Sequence, residues 1–317
     1  MGVLVDGVWH TDDDALVDED GRLQRPSAVF RHWITADGAP GPTGDGGFRA
    51  EPGRYHLYVA RACPWAHRAT IFRELKGLQS MVGLSVTHWL MADDGWTFDP
   101  APGVVPDPIE HVDALWQLYV KSDPAYSGRV SVPVLWDTRT SRIVSNESAD
   151  IIRMFNSAFD DLGAAPGDYA PDALRGEIDA INARIYDGLN NGVYKAGFAT
   201  RQSAYDDAVA GVFETLDWLE RRLATRAYLV GEELTEADWR LFTTLLRFDP
   251  VYHGHFKCNL RRLVDYPALW RYTRRLHAHP AVAPTVDMDH IKRHYYQSHR
   301  QINPTGIVPA GPAIDFD

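Results

Sequence analysis

The pattern of hydrophobic residues changes once along this 317-residue chain, and the change limits the folds that it can adopt. Residues 55–60 and 84–91 have the alternation and composition of strands, and residues 64–77 between them have helical periodicity. From Asp172 onward strand patterns give way to long amphipathic stretches. These stretches are 172–194, 202–223, 236–248 and 267–277. The pattern predicts a small α/β unit followed by an all-α unit, in line with two domains for this length.

Weaker signals set the predicted boundaries of each part. A helix is predicted at 109–120, strands at 132–136 and 143–144, and a further helix at 147–157. Thr235 and Asp238 have capping-box spacing, which predicts a helix start. The tail after Pro284 lacks periodicity and is predicted to be irregular and to wrap over the surface. The predicted divisions are an N-terminal arm and loop at 1–54, an α/β domain at 55–160 with an insertion at about 92–130, a helical domain at 172–283 and a C-terminal extension at 284–317.

Composition excludes several classes of protein. The formal net charge is -11, from 43 acidic and 32 basic residues, and no basic stretch is segregated, so we expect no nucleic-acid binding. Apolar runs are far shorter than the roughly 18 residues of a membrane span. The start of the chain carries the acidic run 12–14, which we expect to be a solvated tail. A secretory signal begins instead with a basic region followed by an apolar one. These features predict a cytoplasmic protein.

Cys63 is the residue most suggestive of chemistry. It falls where the first predicted strand ends and the first predicted helix begins, and Pro64 suits the first helical position, where no amide proton is needed. Unpaired amides and the helix dipole at such a position lower the pKa of a thiol from about 8.5 to about 3.5–7.5. Arg61, His67 and Arg68 add positive charge nearby. A buried structural cysteine is the alternative reading, and no second cysteine at CxxC spacing offers an internal disulfide, so a monothiol mechanism is predicted.

The order of these motifs resembles the cytosolic glutathione transferases. Cys63 and Pro64 in a β-α-β start, Pro133 opening a strand and Glu147 opening a helix resemble their thioredoxin-like half, and the helical half that follows fits as well. More narrowly, the chain resembles the Xi class, the S-glutathionyl-hydroquinone reductases. The segments that carry this resemblance are FRHWI at 30–34, GW at 95–96, VPVLWD at 132–137, GVYKAGFA at 192–199, HIKRHYY at 290–296 and NPTG at 303–306.

The resemblance implies a glutathione site. Val132 would pair its backbone with the peptide-like ligand, and the following Pro133 would be cis. Glu147 would bind the ammonium of the γ-glutamyl end, and the hydroxyl and amide of Ser148 its carboxylate. An ordinary acidic first turn is the alternative for that pair. The two remaining residues assigned to glutathione are Trp96 in the insertion and Arg129 as a carboxylate partner.

The resemblance also implies a second site for an aromatic ring, lined by tyrosines. Tyr194 and Tyr295 are assigned catalytic roles and Tyr252 and Tyr296 substrate binding, although the sequence does not decide which member of the adjacent pair faces the site. Phenolic hydroxyls suit hydroquinone oxygens because they hydrogen-bond and pass protons without carrying charge. Half-buried packing is the alternative for each single tyrosine.

The predicted function is glutathione-dependent reduction of S-glutathionyl-hydroquinones, through a mixed disulfide between Cys63 and glutathione that a second glutathione releases as oxidised glutathione. Two alternatives stay open: a general thiol transferase that deglutathionylates proteins or reduces dehydroascorbate, and a non-enzymatic interaction module. The resemblance further implies a homodimer. Cys258 is interpreted as structural, and we expect no metal, because His290 and His294 lack an accompanying metal-binding pattern. The physiological quinone and the native thiol stay open.

Overall fold

The computed structural model describes residues 2–11 and 17–316, so the acidic run 12–14 lies outside the described residues. The chain divides into two compact units. The first unit comprises the described part of Met1–Asp14 with Ser27–Asp168 and Thr285–His294. The second comprises the described part of Ala15–Pro26 with Tyr169–Pro284 and Tyr295–Asp317. The arm and the C-terminal segment therefore each contribute to both units.

The first unit is built on a mixed β-sheet. The strands of the first unit are β1 (Val3–Val5), β2 (Val8–His10), β3 (Tyr55–Val59), β4 (Val82–Val86), β5 (Gly128–Arg129), β6 (Val134–Asp137) and β7 (Arg142–Ser145). Its first three helices are α1 (Pro64–Leu75), α2 (Trp116–Ser122) and α3 (Ser148–Ser157). The mixed sheet has the order β4-β3-β6-β7, with β3 parallel to β4 and antiparallel to β6. Every residue of β3 is buried, as expected for a central strand, and α1 and α3 pack against each other.

The predicted β-α-β start is present, but two element boundaries were wrong. The second strand ends at Val86 and not at residue 91, and the helix predicted at 109–120 begins only at Trp116. The buried carboxylate of Asp107 explains the late start, because it accepts hydrogen bonds from the amides of Ile109, Glu110 and Val112. A side chain that takes these amides favours a turn over a helix.

The N-terminal arm contains strands that the sequence analysis missed. β1 pairs antiparallel with β2 and with β5, giving a second sheet of order β2-β1-β5. Asp6 and Gly7 have φ of 47° and 76° and turn the chain between β1 and β2. Asp-Gly between apolar residues is a hairpin signal, but three-residue strands are too short to show periodicity.

The second unit is helical, as predicted. Its helices are α4 (Arg175–Ile185), α5 (Gly192–Gly197), α6 (Gln202–Leu223), α7 (Glu236–Arg247) and α8 (Pro267–His277). The bounds predicted for α6 and α8 are confirmed, and so is the capping box of Thr235 and Asp238. The stretch 172–194 is not one helix, because a π-helical turn at Tyr186–Asn190 separates α4 from α5.

The prediction of an irregular tail was wrong over one segment, since α9 (Met288–Ser298) is helical. The boundary between the two units falls within this helix. In the first unit, the His290 ring nitrogen Nε2 lies 2.7 Å from the Pro102 carbonyl oxygen, and the His294 ring stacks on Trp96. The histidines of α9 thus anchor it to the insertion, a set of tertiary contacts that no local pattern encodes.

Candidate active site

Cys63 is the N-cap residue of α1, as predicted. Its backbone is extended, with φ of -76° and ψ of 123°, and Pro64 occupies the first helical position. The amide of Cys63 donates to the Ala60 carbonyl at 3.0 Å, and its carbonyl accepts from the His67 amide at 2.9 Å. The side chain is half-buried. These bonds hold a partly accessible sulfur at the positive end of a helix, a setting that favours the thiolate.

Two basic residues that follow Cys63 in sequence, His67 and Arg68, make contacts that fix α1. The buried ring of His67 lies 2.8 Å from the Thr285 hydroxyl, measured from Nε2 to Oγ1. The buried guanidinium of Arg68 stands over the Trp65 ring, 4.7 Å from its centre. Through these contacts both side chains help to fix the first turns of α1.

Val132 lies beside the thiol. The distance from Cys63 Sγ to the Val132 carbonyl oxygen is 3.6 Å, and the Val132–Pro133 peptide bond is cis, as the resemblance implies. The preceding residue, Ser131, is fixed from both sides, because its carbonyl accepts from the Tyr119 hydroxyl at 2.8 Å and its amide donates to the same hydroxyl at 3.2 Å. The structure thus brings together two of the predicted site residues, Cys63 and Val132.

Glu147 and Ser148 form the start of α3. Glu147 is the N-cap residue, and its carboxylate accepts a hydrogen bond from the Ala149 amide at 2.9 Å. Ser148 is the first helical residue and is buried. This is an ordinary capped helix start, and it is also the arrangement that binds anionic groups through backbone amides.

Trp96 and Arg129 lie in the insertion. Trp96 is buried, and its ring stacks on His294 at 4.8 Å between centres. Its carbonyl accepts from the Leu115 amide at 2.8 Å, which fixes Trp96 against the start of α2 within the same insertion. Arg129 lies on β5, opposite Val3 of β1. Their roles toward glutathione stay predictions.

The predicted tyrosines form a cluster in the second unit, which we call the tyrosine cluster (Tyr194, Tyr252 and Tyr295). The hydroxyl oxygen of Tyr295 lies 2.5 Å from that of Tyr194 and 3.1 Å from that of Tyr252. The hydroxyl of Tyr296 donates elsewhere, to the Pro250 carbonyl at 3.3 Å. Of the adjacent pair, Tyr295 is therefore the member that joins the other two hydroxyls.

Burial keeps Tyr252 and Tyr295 of this cluster protonated. Desolvation raises the pKa of Tyr252 and of Tyr295 well above the usual value, and the nearby Tyr194 raises both further. Phe256 packs against all three rings, at 5.3 to 5.6 Å between centres. The three linked hydroxyls can each donate and accept hydrogen bonds, and those of Tyr252 and Tyr295 belong to side chains buried away from water.

Two features around the cluster escaped the sequence analysis. The π-helical turn Tyr186–Asn190 stands just before α5, which carries Tyr194, and a second one, Phe248–Tyr252, ends on Tyr252. In addition, the guanidinium of Arg25 lies over the Tyr194 ring at 5.0 Å and donates from Nε to the Asn191 side-chain oxygen at 2.8 Å. Each π-helical turn contains one residue that is unusual within a helix, Gly188 in the first turn and Pro250 in the second. At Gly188 an added Cβ would lie 2.1 Å from the Thr215 hydroxyl.

Cys258 is fully buried, and burial raises the pKa of its thiol to about 12. Such a thiol stays protonated near neutrality, which supports the interpretation of Cys258 as structural.

Across residues 2–11 and 17–316, we find no group of three or more His, Cys, Asp or Glu placed to hold a metal ion. No helix in the described part of the chain is long and apolar enough to cross a membrane.

The comparisons with known proteins agree with this geometry. Two family models match, the N-terminal domain of glutathione S-transferase over residues 62–158 and its C-terminal domain over residues 202–275. The chain is 57% identical to the glutathionyl-hydroquinone reductase YqjG of Escherichia coli, over 100% of this chain and 97% of the relative. The chain belongs to the glutathione transferase family, in its Xi class. Its fold is the thioredoxin-like domain and helical domain of that family, as predicted.

Other relatives of this Xi-class chain widen the comparison. It is 55% identical to the glutathionyl-hydroquinone reductase PcpF of Sphingobium chlorophenolicum, over 99% of this chain and 97% of that one, and 47% identical to the omega-like glutathione S-transferase 2 of Schizosaccharomyces pombe, over 93% and 94%. The glutathione-bound structure of the Escherichia coli protein matches with a TM-score of 0.93 at 56% identity, covering 100% and 97%. The Xi-class structure from Phanerochaete chrysosporium matches with 0.89 at 49% identity, covering 93% and 94%.

Proposed function

We propose that this Xi-class chain is a glutathionyl-hydroquinone reductase, which uses glutathione to convert S-glutathionyl-hydroquinones into hydroquinones. The observation that carries the proposal is the half-buried thiol of Cys63 at the start of α1, beside the Val132 carbonyl that precedes a cis proline. Two curated relatives that share more than half of its residues carry this activity in their names. Glutathione is the co-substrate.

The first chemical step is attack by the Cys63 thiolate on the glutathionyl sulfur of the conjugate. A sulfur-sulfur bond forms, the bond between that sulfur and the ring carbon breaks, and its electron pair stays on the ring carbon, which takes up a proton. The hydroquinone leaves, and Cys63 is held as a mixed disulfide with glutathione. The helix N-terminus supports this step because it favours the thiolate over the thiol.

The second step restores the enzyme. The thiolate of a second glutathione attacks the glutathionyl sulfur of the mixed disulfide, the disulfide bond to Cys63 breaks, and the Cys63 thiolate leaves. The product is oxidised glutathione. In sum, one conjugate and one glutathione give one hydroquinone and one oxidised glutathione.

For the glutathione moiety we propose the residues that the resemblance assigns. Val132 supplies backbone hydrogen bonds ahead of Pro133, Glu147 and the start of α3 at Ser148 take the γ-glutamyl end, and Trp96 and Arg129 add further contacts. The capped helix start at Glu147 and the Val132 carbonyl beside Cys63 support these roles.

For the ring we propose the tyrosine cluster together with Tyr296. Tyr194 and Tyr295 donate hydrogen bonds and pass the proton that the ring carbon takes up, and Tyr252 and Tyr296 bind the substrate. The linked hydroxyls of Tyr194, Tyr252 and Tyr295 support a proton-passing role, since each can donate to its neighbour while staying neutral.

A steady-state assay tests the proposal directly. The purified protein is given glutathione and the glutathione conjugate of menadiol, and free hydroquinone and oxidised glutathione are measured together. We expect the two products in equal amounts, and none from Cys63→Ser. A protein that binds glutathione but leaves the conjugate intact would contradict the proposed substrate class.

A second candidate function is that of a general thiol transferase, which deglutathionylates proteins or reduces dehydroascorbate. The omega-like name of the Schizosaccharomyces pombe relative favours it. A panel of low-molecular-weight disulfides and dehydroascorbate, compared with the menadiol conjugate by kcat/KM, separates the two. The non-enzymatic alternative predicts no turnover of any of them.

We further propose that the protein is a cytoplasmic homodimer. The class resemblance supports the dimer. Size-exclusion chromatography with light scattering measures the molar mass and tests the dimer, for which we expect twice 35.6 kDa. Cell fractionation of the native host tests the location.

A further inference from the structure

The N-terminal arm lies against the residues that open α3. The amide of Phe30 donates to the Asn146 side-chain oxygen at 3.2 Å, and the amide of Asn146 donates to the Phe30 carbonyl at 3.1 Å. The amide of His32 donates to the Val144 carbonyl at 2.9 Å. The arm thus runs along β7 and into the turn before α3, and it lies outside both family-model matches.

Arg31 adds an ion pair to this contact. Its Nε and Nη2 donate to the two carboxylate oxygens of Asp150 at 2.7 and 2.8 Å, a bidentate arrangement. Asp150 lies in the first turn of α3, and its side chain is only 9% exposed, whereas that of Arg31 is 41% exposed. A nearly buried carboxylate at the start of α3 is therefore neutralised by a side chain from a distant part of the chain.

The position of this carboxylate matters for an anionic ligand. The start of α3 already carries Glu147 at the N-cap position and Asp150 in the first turn, and their charges occupy the positive end of the helix. An incoming carboxylate would meet repulsion from Asp150 if that group had no cation beside it. A paired Asp150 leaves the helix start able to accept a further negative group.

We propose that Arg31 is a positioning residue for glutathione, which acts by holding and neutralising Asp150 at the start of α3. The inference rests on the proposed function, because it takes the γ-glutamyl carboxylate as the anion bound there. It assigns the N-terminal arm a part in substrate binding. Arg31 acts through Asp150 and leaves the thiol chemistry of Cys63 untouched.

The experiment measures KM and kcat for glutathione and for the menadiol conjugate, and Kd for glutathione by titration calorimetry. For Arg31→Gln we expect KM and Kd to rise about tenfold with kcat unchanged, since an uncompensated charge now faces the ligand. Arg31→Lys should recover part of the affinity, because an ammonium restores the charge without the bidentate geometry. The double variant Arg31→Gln with Asp150→Asn should recover most of it.

Arg22→Gln is the matched control. Arg22 belongs to the same arm and pairs with Asp207 at the same distance of 2.7 Å, but on α6 of the second unit. We expect it to leave KM and Kd unchanged. An equal loss in Arg22→Gln, or no recovery in the double variant, would overturn the inference.

The two proposals fail in different ways. If the unmodified protein binds no glutathione, the proposed function fails and the inference fails with it. If the unmodified protein binds glutathione and Arg31→Gln binds it equally well, the inference alone is wrong. A fall in kcat without a rise in KM would also contradict it, because that result would place Arg31 in the chemical step.

Discussion

The surroundings of Cys63 and the tyrosine cluster are built from the sequence in different ways. The position of Cys63 depends on its immediate neighbours: a strand that ends at Val59, a proline at the first helical position and hydrogen bonds to Ala60 and His67. Tyr194 and Tyr295 are 101 positions apart, and their hydroxyls meet only through the packing of helices. The first arrangement is local and the second is tertiary, so they respond differently to mutation.

Exposure separates the two regions as well. The sulfur of Cys63 is half-buried, whereas Tyr252 and Tyr295 have exposures of 0% and 1%. In the proposed mechanism the thiol of Cys63 must be reached by two substrates in turn, while hydroxyls that pass a proton gain from exclusion of water. Loss of the nucleophile should therefore be complete, and loss of a hydroxyl graded.

The largest effect is expected for Cys63→Ser. Turnover of the menadiol conjugate should fall at least about 1000-fold, because a serine hydroxyl is neither ionised near neutrality nor able to form the disulfide. The thermal unfolding midpoint should stay close to that of the unmodified protein, since the side chain is small and half-buried. Cys258→Ala is the matched control and should retain activity. Mixed-disulfide formation at Cys258 in a mass spectrum would contradict the assignment.

A smaller effect is expected for Tyr295→Phe, which removes the central hydroxyl of the tyrosine cluster. The kcat for the menadiol conjugate should fall about 10- to 100-fold, because proton delivery to the ring carbon is impaired. Reduction of hydroxyethyl disulfide should be unaffected, since thiol exchange at Cys63 protonates no carbon. As burial raises the pKa of Tyr295, the defect should be constant from pH 6 to about pH 9.

Tyr205→Phe controls for the loss of a tyrosine hydroxyl, because Tyr205 donates to the Lys257 carbonyl at 2.7 Å on an exposed part of the second unit. It should leave both reactions unchanged. A Tyr295→Phe variant that loses both reactions equally would show that the hydroxyl maintains the fold and that the ring-specific role is wrong.

The contrast between the regions also explains what the sequence could predict. A proline after a strand and a cysteine before a helix are local signals, so α1 and the N-cap position of Cys63 followed from them. The π-helical turns that precede Tyr194 and end on Tyr252 depend on contacts such as the hydrogen bond from the side-chain amide of Asn190 to the Thr244 hydroxyl, 54 positions away. Such contacts leave no periodic trace, so only the resemblance pointed to the tyrosines.

The errors have two causes. The start of α2 is delayed by Asp107, which is a local effect, because its carboxylate accepts from amides only two to five positions further along the chain. By contrast, α9 is anchored by the contacts of His290 and His294 with the insertion, whose residues are distant in sequence. The ion pair of Arg31 and Asp150, 119 positions apart, was invisible for that reason too.

The smallest effect on activity is expected for a buried histidine of the first unit, His56. Its side chain lies on β3 with Nε2 at 2.8 Å from the Ser85 hydroxyl, and burial lowers its pKa to about 4. The unfolded chain binds a proton near pH 6.5, whereas the folded chain binds it only near pH 4. The contribution of the neutral His56 to the free energy of unfolding is therefore fully present above pH 6.5. It is lost as the pH falls toward 4, and the loss amounts to up to about 3 kcal/mol.

Urea unfolding at pH 7, 6, 5 and 4.5 measures this contribution. In His56→Gln the difference between pH 7 and pH 4.5 should shrink by about 2 to 3 kcal/mol, with activity at pH 7 retained, and the exposed His10→Gln should behave as the unmodified protein. A loss of turnover in His56→Gln would bring this residue into the site. Retained turnover would show that the lowered pKa of His56 plays no part in the reaction, although burial is the largest cause of its shift, as it is for Tyr295. A perturbed pKa therefore marks function only where geometry also brings reacting groups together, as we propose for the linked hydroxyls of the tyrosine cluster.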